Sequence, residues 1–92
     1  MVLKVIKKDG REEPFEIEKI KKAIRGACEE AGIEETKKEE LADLISEKIV
    51  EMYDSQETVR AIELRDKILG ELEMMAPEAA AAWRNYEASK GK

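Results

Sequence analysis

Residues 2–24 run Val2-Leu3-Lys4-Val5-Ile6-Lys7-Lys8-Asp9-Gly10-Arg11-Glu12-Glu13-Pro14-Phe15-Glu16-Ile17-Glu18-Lys19-Ile20-Lys21-Lys22-Ala23-Ile24, and the change of period inside this stretch decides the fold class. Val2 to Lys7 is rich in β-branched residues and stops at Asp9-Gly10, a strong turn signal. A second short extended segment follows and ends at Pro14-Phe15. The pair predicts a small hairpin. Pro14 has no N–H to give to a sheet ladder, so its strand lies at an edge or breaks there. From Glu18 the apolar residues recur at helical spacing, at Ile20, Ala23, Ile24, Ala27, Cys28 and Ala31, and Gly32 supplies the stop.

Further along the chain the helical period persists. Leu41, Leu44, Ile45, Ile49, Met52 and Tyr53 form a second stripe behind the charged lead-in 34–40, with Thr36 as a candidate amino-terminal cap. Residues 54–58 are polar and read as a turn. Leu64, Ile68, Leu72 and Met75 then make a third helical face, flanked by Ile62 and Leu69. Pro77 forces a boundary or opens a new first turn. Ala79 to Ala82, Trp83 and Tyr86 give a fourth helix whose small residues allow close approach to a neighbour, and Gly91 marks its frayed end. The expectation is one α+β unit over residues 1–92, a hairpin followed by four helices.

Composition narrows the function. Ninety-two residues suit one domain, and a chain that is 42% apolar and 42% charged, with the signs mixed, should fold beneath a solvated surface. A net charge of −5 exerts no overall pull toward nucleic acid or an anionic membrane, so any anion must be held by a local basic cluster. Cys28 is the single cysteine, which leaves no intrachain disulfide and suits a small buried apolar residue. The absence of histidine removes the commonest metal ligand and the commonest general base, which argues against an enzyme. No apolar run reaches the length of a membrane span or signal peptide, so the chain reads as cytoplasmic.

The densest basic cluster lies at the start. Lys7 and Lys8 precede the turn, and Lys19, Lys21 and Lys22 lie on the first turns of the first helix, where free amides and the helix dipole favour anions. Lysines on a hairpin and on a helix face are ordinarily solubilising, so composition alone does not make a phosphate site. The order of residues adds to it. Val5-Ile6-Lys7-Lys8-Asp9-Gly10, then Phe15, then Glu18-Lys19-Ile20 and Ala23-Ile24, resembles the opening of the ATP-cone family, whose usual form is V-x-K-R-D-G, an apolar residue, then K-I-x-x-A-I. Val59, Leu64-Arg65-Asp66 and Ile68 resemble its third-helix segment, and Pro77-Glu78 through Trp83 and Tyr86 resemble its A-x-x-Y-x-x-Y ending. The resemblance spans residues 2–90.

Cones of this family regulate ribonucleotide reductases and their transcriptional repressor. The resemblance implies a small β lid, here residues 2–17 with room for a third short strand, over a four-helix bundle, residues 18–90, with the nucleotide between them. It implies phosphate contacts from Lys7, Lys8 and Lys19, with Lys8 standing where arginine is usual. Val5, Glu13 and Ile20 would lie near the nucleoside, Glu13 as an acceptor. Leu64 would pack the base, Arg65 would contact phosphate, and Ala61 stands where threonine is frequent. Tyr86 would lie near the base with its ring facing the bundle too, and Lys90 near phosphate; Trp83 and Tyr86 at helical spacing also suit a core. The implied ligand is ATP or dATP, accompanied by magnesium as polyphosphates usually are. The implied role is a sensor that self-associates with nucleotide, docks on a regulated enzyme or repressor in trans, or belongs to a longer protein. Two other classes stay open: a protein interaction module without ligand, and a small nucleic-acid-binding regulator.

Overall fold

The computed structural model describes residues 1–90; Gly91, read from the sequence as the frayed end of the last helix, lies outside the described residues. Strand β1 (Lys4–Ile6) pairs antiparallel with β2 (Glu12–Pro14), and β3 (Thr58–Arg60) pairs parallel with the other edge of β1, giving the order β2-β1-β3. The hairpin is closed by Lys7 N–H donating to the Arg11 carbonyl at 2.7 Å and Gly10 N–H donating to the Lys7 carbonyl at 2.9 Å. Gly10 has φ of 91°, a conformation that favours glycine, and Asp9 accepts the Arg11 amide at 3.1 Å. Pro14 ends an edge strand, as its missing N–H requires.

The third strand lies within the span read as bundle. Its three residues alternate exposed, buried, exposed about Val59, a run too short for a strand to be recognised by. Leu3 N–H donates to the Glu57 carbonyl at 2.7 Å and seats the chain start against this edge.

Four helices follow among the described residues: α1 (Ile17–Glu30), α2 (Glu35–Met52), α3 (Ala61–Met75) and α4 (Pro77–Lys90). Gly32, at φ of 77°, stops α1 while Ile33 N–H reaches back to the Cys28 carbonyl at 2.9 Å. Thr36 is not the cap of α2. Extended Glu34 precedes the helix, and the charged lead-in is itself helical because Lys38, nearly buried, sits 2.9 Å from both Glu29 and Glu35 and ties the start of α2 to the end of α1. Pro77 opens α4, where its missing N–H is harmless.

The core is centred on Ile24, Cys28, Ile45, Ile49 and Leu72, all fully buried, each large aliphatic side chain contributing about 1.5–3 kcal/mol by burial. Ala79 and Ala80, also fully buried, let α4 lie close against α1 and α3. Val2 and Val59 are buried beneath the sheet, and Val5 and Phe15 pack on the same cluster, so the lid rests on the bundle through apolar side chains.

Candidate functional site

A cavity of about 320 Å³ lies where lid meets bundle. The register of the sheet determines what the lid contributes. Val5 stands opposite Glu13, and residues directly opposite share a face, as do residues two apart on one strand. Val5, Lys7 and Glu13 therefore line the cavity together. Lys4 and Glu12 take the opposite face, where they pair at 3.1 Å.

The bundle contributes the amino ends of two helices. Glu16, Lys19 and Ile20 come from the start of α1, and Ala61, Leu64 and Arg65 from the start of α3. Neither helix start has a side-chain cap, so amides that lack intrahelical acceptors and the positive ends of two helix dipoles border one cavity. Ile20 and Leu64 are buried and form an apolar floor, and Trp83 of α4, half-buried, closes one side. The arrangement can hold an anion at its rim and a flat apolar group at its floor.

Each cation in this cavity faces a carboxylate. Lys7 Nζ lies 3.6 Å from Glu13, and Lys19 Nζ lies 3.1 Å from Glu16. Arg65 is held more firmly. Its Nε donates to both oxygens of Glu87 at 2.9 and 3.1 Å, a second guanidinium nitrogen also donates to Glu87, and the third meets Asp66 at 2.7 Å. Hydrogen bonds from Arg65 hold the Glu87 carboxyl below its ordinary value, against the opposing effect of partial burial, and the Trp83 indole adds to the lowering. The same carboxylates push the Arg65 guanidinium further into its charged range.

A second cavity, about 650 Å³, lies between α1 and α4 and shares Lys19, Ala23 and Trp83 with the first. Lys22, Tyr86, Glu87 and Lys90 border it, and Lys90 Nζ sits 5.8 Å from the centre of the Tyr86 ring. Ala23, read as a core position of α1, is exposed because it faces these cavities.

The candidates named from sequence thus fall into three groups. Val5, Lys7, Glu13, Lys19, Ile20, Leu64 and Arg65 border the first cavity, while Tyr86 and Lys90 border the second. Lys8 borders neither; it follows Lys7 into the turn and is exposed. Lys21 also leaves the cluster, turning to Asp43 of α2 at 3.3 Å. The Tyr86 ring does not face the bundle core: it is 65% exposed, because it lies on the α4 face beside the second cavity. Glu16 and Glu87 went unnoticed. Glu87 is 22 residues from Arg65 and gives no local signal, whereas Glu16, three before Lys19, could have been read as an i,i+3 partner.

Among the described residues no group of three or more histidine, cysteine, aspartate or glutamate side chains could hold a metal ion, and no helix is long and apolar enough to cross a membrane. The fold and cavity define a class: a small mixed sheet closed over a four-helix bundle, with a cation-bordered cavity at the junction. The chain belongs to the ATP cone domain family, whose model matches residues 3–90. The family is one of nucleotide-binding regulatory modules, regulatory and not catalytic. No match was found among curated proteins.

Proposed function

We propose that this chain binds ATP or dATP between lid and bundle and acts as an allosteric sensor of adenine nucleotide. The observation that supports this most is the convergence of Lys7, Lys19 and Arg65 with Val5, Ile20 and Leu64 around one cavity at two uncapped helix starts. Phosphates take the cationic rim and the amides, as anions do at helix amino ends. The base lies on the floor of Val5, Ile20 and Leu64, and Glu13 accepts a hydrogen bond from the base or sugar. Lys8, outside the cavity, adds positive charge to the field around it from the turn, and Tyr86 and Lys90 act from the adjoining cavity. Magnesium arrives on the polyphosphate, with no protein cage of its own.

Residues 1–92 act as one unit in this reading. Its output is carried either by nucleotide-dependent self-association or by docking on a regulated enzyme or repressor of the ribonucleotide reductase kind in trans. Binding is allosteric if nucleotide and partner affinities are coupled.

Calorimetric titration with ATP, dATP, ADP and GTP in the presence of magnesium, alongside the mass in solution with and without ligand, tests this. Micromolar, adenine-selective binding is expected. Lys7→Ala and Lys19→Ala should each weaken it by about tenfold, the effect of losing one charge-assisted hydrogen bond, while helicity is retained. Absence of binding to every nucleotide would leave a protein interaction module in its place.

A further inference from the structure

Arg65 borders the first cavity, yet its guanidinium is already in use. A guanidinium presents one set of five donors in a fixed plane, matched to a carboxylate or a phosphate, and Glu87 occupies the Nε edge of that plane with both of its oxygens. Asp66 takes the remaining nitrogen. The lysine pairs nearby differ: an ammonium is a rotatable point charge that can accept a second anion while keeping the first. A phosphate can thus join Lys7 or Lys19 beside Glu13 or Glu16, but it can take the two-pronged Nε edge of Arg65 only when Glu87 leaves.

The pair is placed so that it can be exchanged. The side chains of Arg65 and Glu87 are 36% and 35% exposed, so an anion reaches them without opening the core. Glu87 also borders the second cavity, where Lys22 and Lys90 stand as alternative partners for a displaced carboxylate. The contact joins α3 to α4, with Arg84 to Glu73 tying the same two helices elsewhere.

We infer that Glu87 is a built-in competitor for the phosphate seat on Arg65, so that a nucleotide phosphate binds there by displacing it and, in doing so, removes one of the ties between α4 and α3. This rests on the nucleotide reading of the first cavity. Glu87 then determines affinity without contacting the ligand, and it links occupancy of the lid cavity to the state of α4. The competitor favours ligands whose terminal phosphate is dianionic over those offering a single charge, because a carboxylate is displaced by an anion of greater charge and more acceptor oxygens.

The test is calorimetric titration of the 92-residue chain with magnesium ATP as Glu87→Gln, Arg65→Lys and the double variant, with Glu30→Gln as a control. Glu30 borders the second cavity and carries the same charge but makes no contact with Arg65. Glu87→Gln should bind ATP about three- to tenfold more tightly, the range expected for removing a partly exposed ion pair. Glu30→Gln should gain less, and in the Arg65→Lys background the gain from Glu87→Gln should fall to that of Glu30→Gln. Should Glu87→Gln lose helicity, Glu87→Asp, which keeps the charge but shortens its reach, should also bind more tightly. Wild-type binding with no gain in the Glu87 variants, or an equal gain without Arg65, overturns the competitor and leaves the nucleotide reading standing. Absence of binding in every form overturns both.

Discussion

Three cations border the lid cavity, and their partners differ in a way that solution measurements can separate. Lys7 and Lys19 pair through single contacts with Glu13 and Glu16, whereas Arg65 grips both oxygens of Glu87. Because the Glu87 carboxyl titrates below its ordinary value of 4.5 in the folded chain, folding favours its ionised form. That contribution is complete above the unfolded value and is lost as pH falls through the lowered folded one. The melting temperature of the wild-type chain should therefore exceed that of Glu87→Gln by a constant margin from neutral pH down to about 5, and the margin should shrink below that. No margin at neutral pH would show that the pair does not contribute to stability, and a margin unchanged down to pH 3 would show that it does not come from the ionised carboxylate. Partial exposure keeps the margin modest. At this scale the sequence offered the lid residues only through the family resemblance, and the register supplies the reason that three of them meet: Val5 stands opposite Glu13 and two residues from Lys7, whereas Lys8 follows into the turn. Glu87 was not legible, since nothing along the chain relates it to an arginine 22 residues earlier.

Among the elements, α4 departs furthest from its sequence reading. Its alanines do what small residues were expected to do: Ala79 and Ala80 are fully buried where α4 meets its neighbours. Its aromatics divide, with Trp83 half-buried between the two cavities and Tyr86 exposed one turn later. Tyr86→Ala should then leave stability within about 0.5 kcal/mol of wild type, as exposed substitutions do, while weakening nucleotide binding. Ala80→Leu should do the reverse in severity, overpacking the interface at a cost of about 1–3 kcal/mol. Thermal denaturation followed by circular dichroism distinguishes them; a Tyr86→Ala variant as unstable as Ala80→Leu would contradict the exposed placement. Helices α1 to α3 could be read from period alone because each carries a stripe of buried aliphatic residues, whereas α4 buries the adjacent Ala79 and Ala80 and was marked by Pro77 and its small residues. The third strand could not, since three residues with one buried side chain leave no period, and its place was fixed instead by pairing with β1 across the whole of α1 and α2.

For the molecule as a whole, that pairing decides how the lid is coupled to the rest. A free hairpin could lift from the bundle with little consequence, but β1 is also bonded to β3, and Arg60 at the end of β3 leads directly into Ala61 at the start of α3. Ligand held between lid and bundle is then held by elements continuous with the core, and its binding should stabilise the entire fold against opening. Cys28 reports on this. It is fully buried at the centre of the bundle, and burial pushes its thiol up from its ordinary value, so a thiol reagent reaches it only when the structure opens. With labelling slow relative to reclosing, saturating ATP at 100 times its dissociation constant should slow the reaction of Cys28 by roughly 100-fold if opening also abolishes the nucleotide cavity. An unchanged rate, with ATP demonstrably bound, would mean that Cys28 is reached by an opening that leaves the cavity, the start of α1 included, closed on the ligand. In that case the nucleotide would govern the elements around its cavity and not the bundle centre around Cys28.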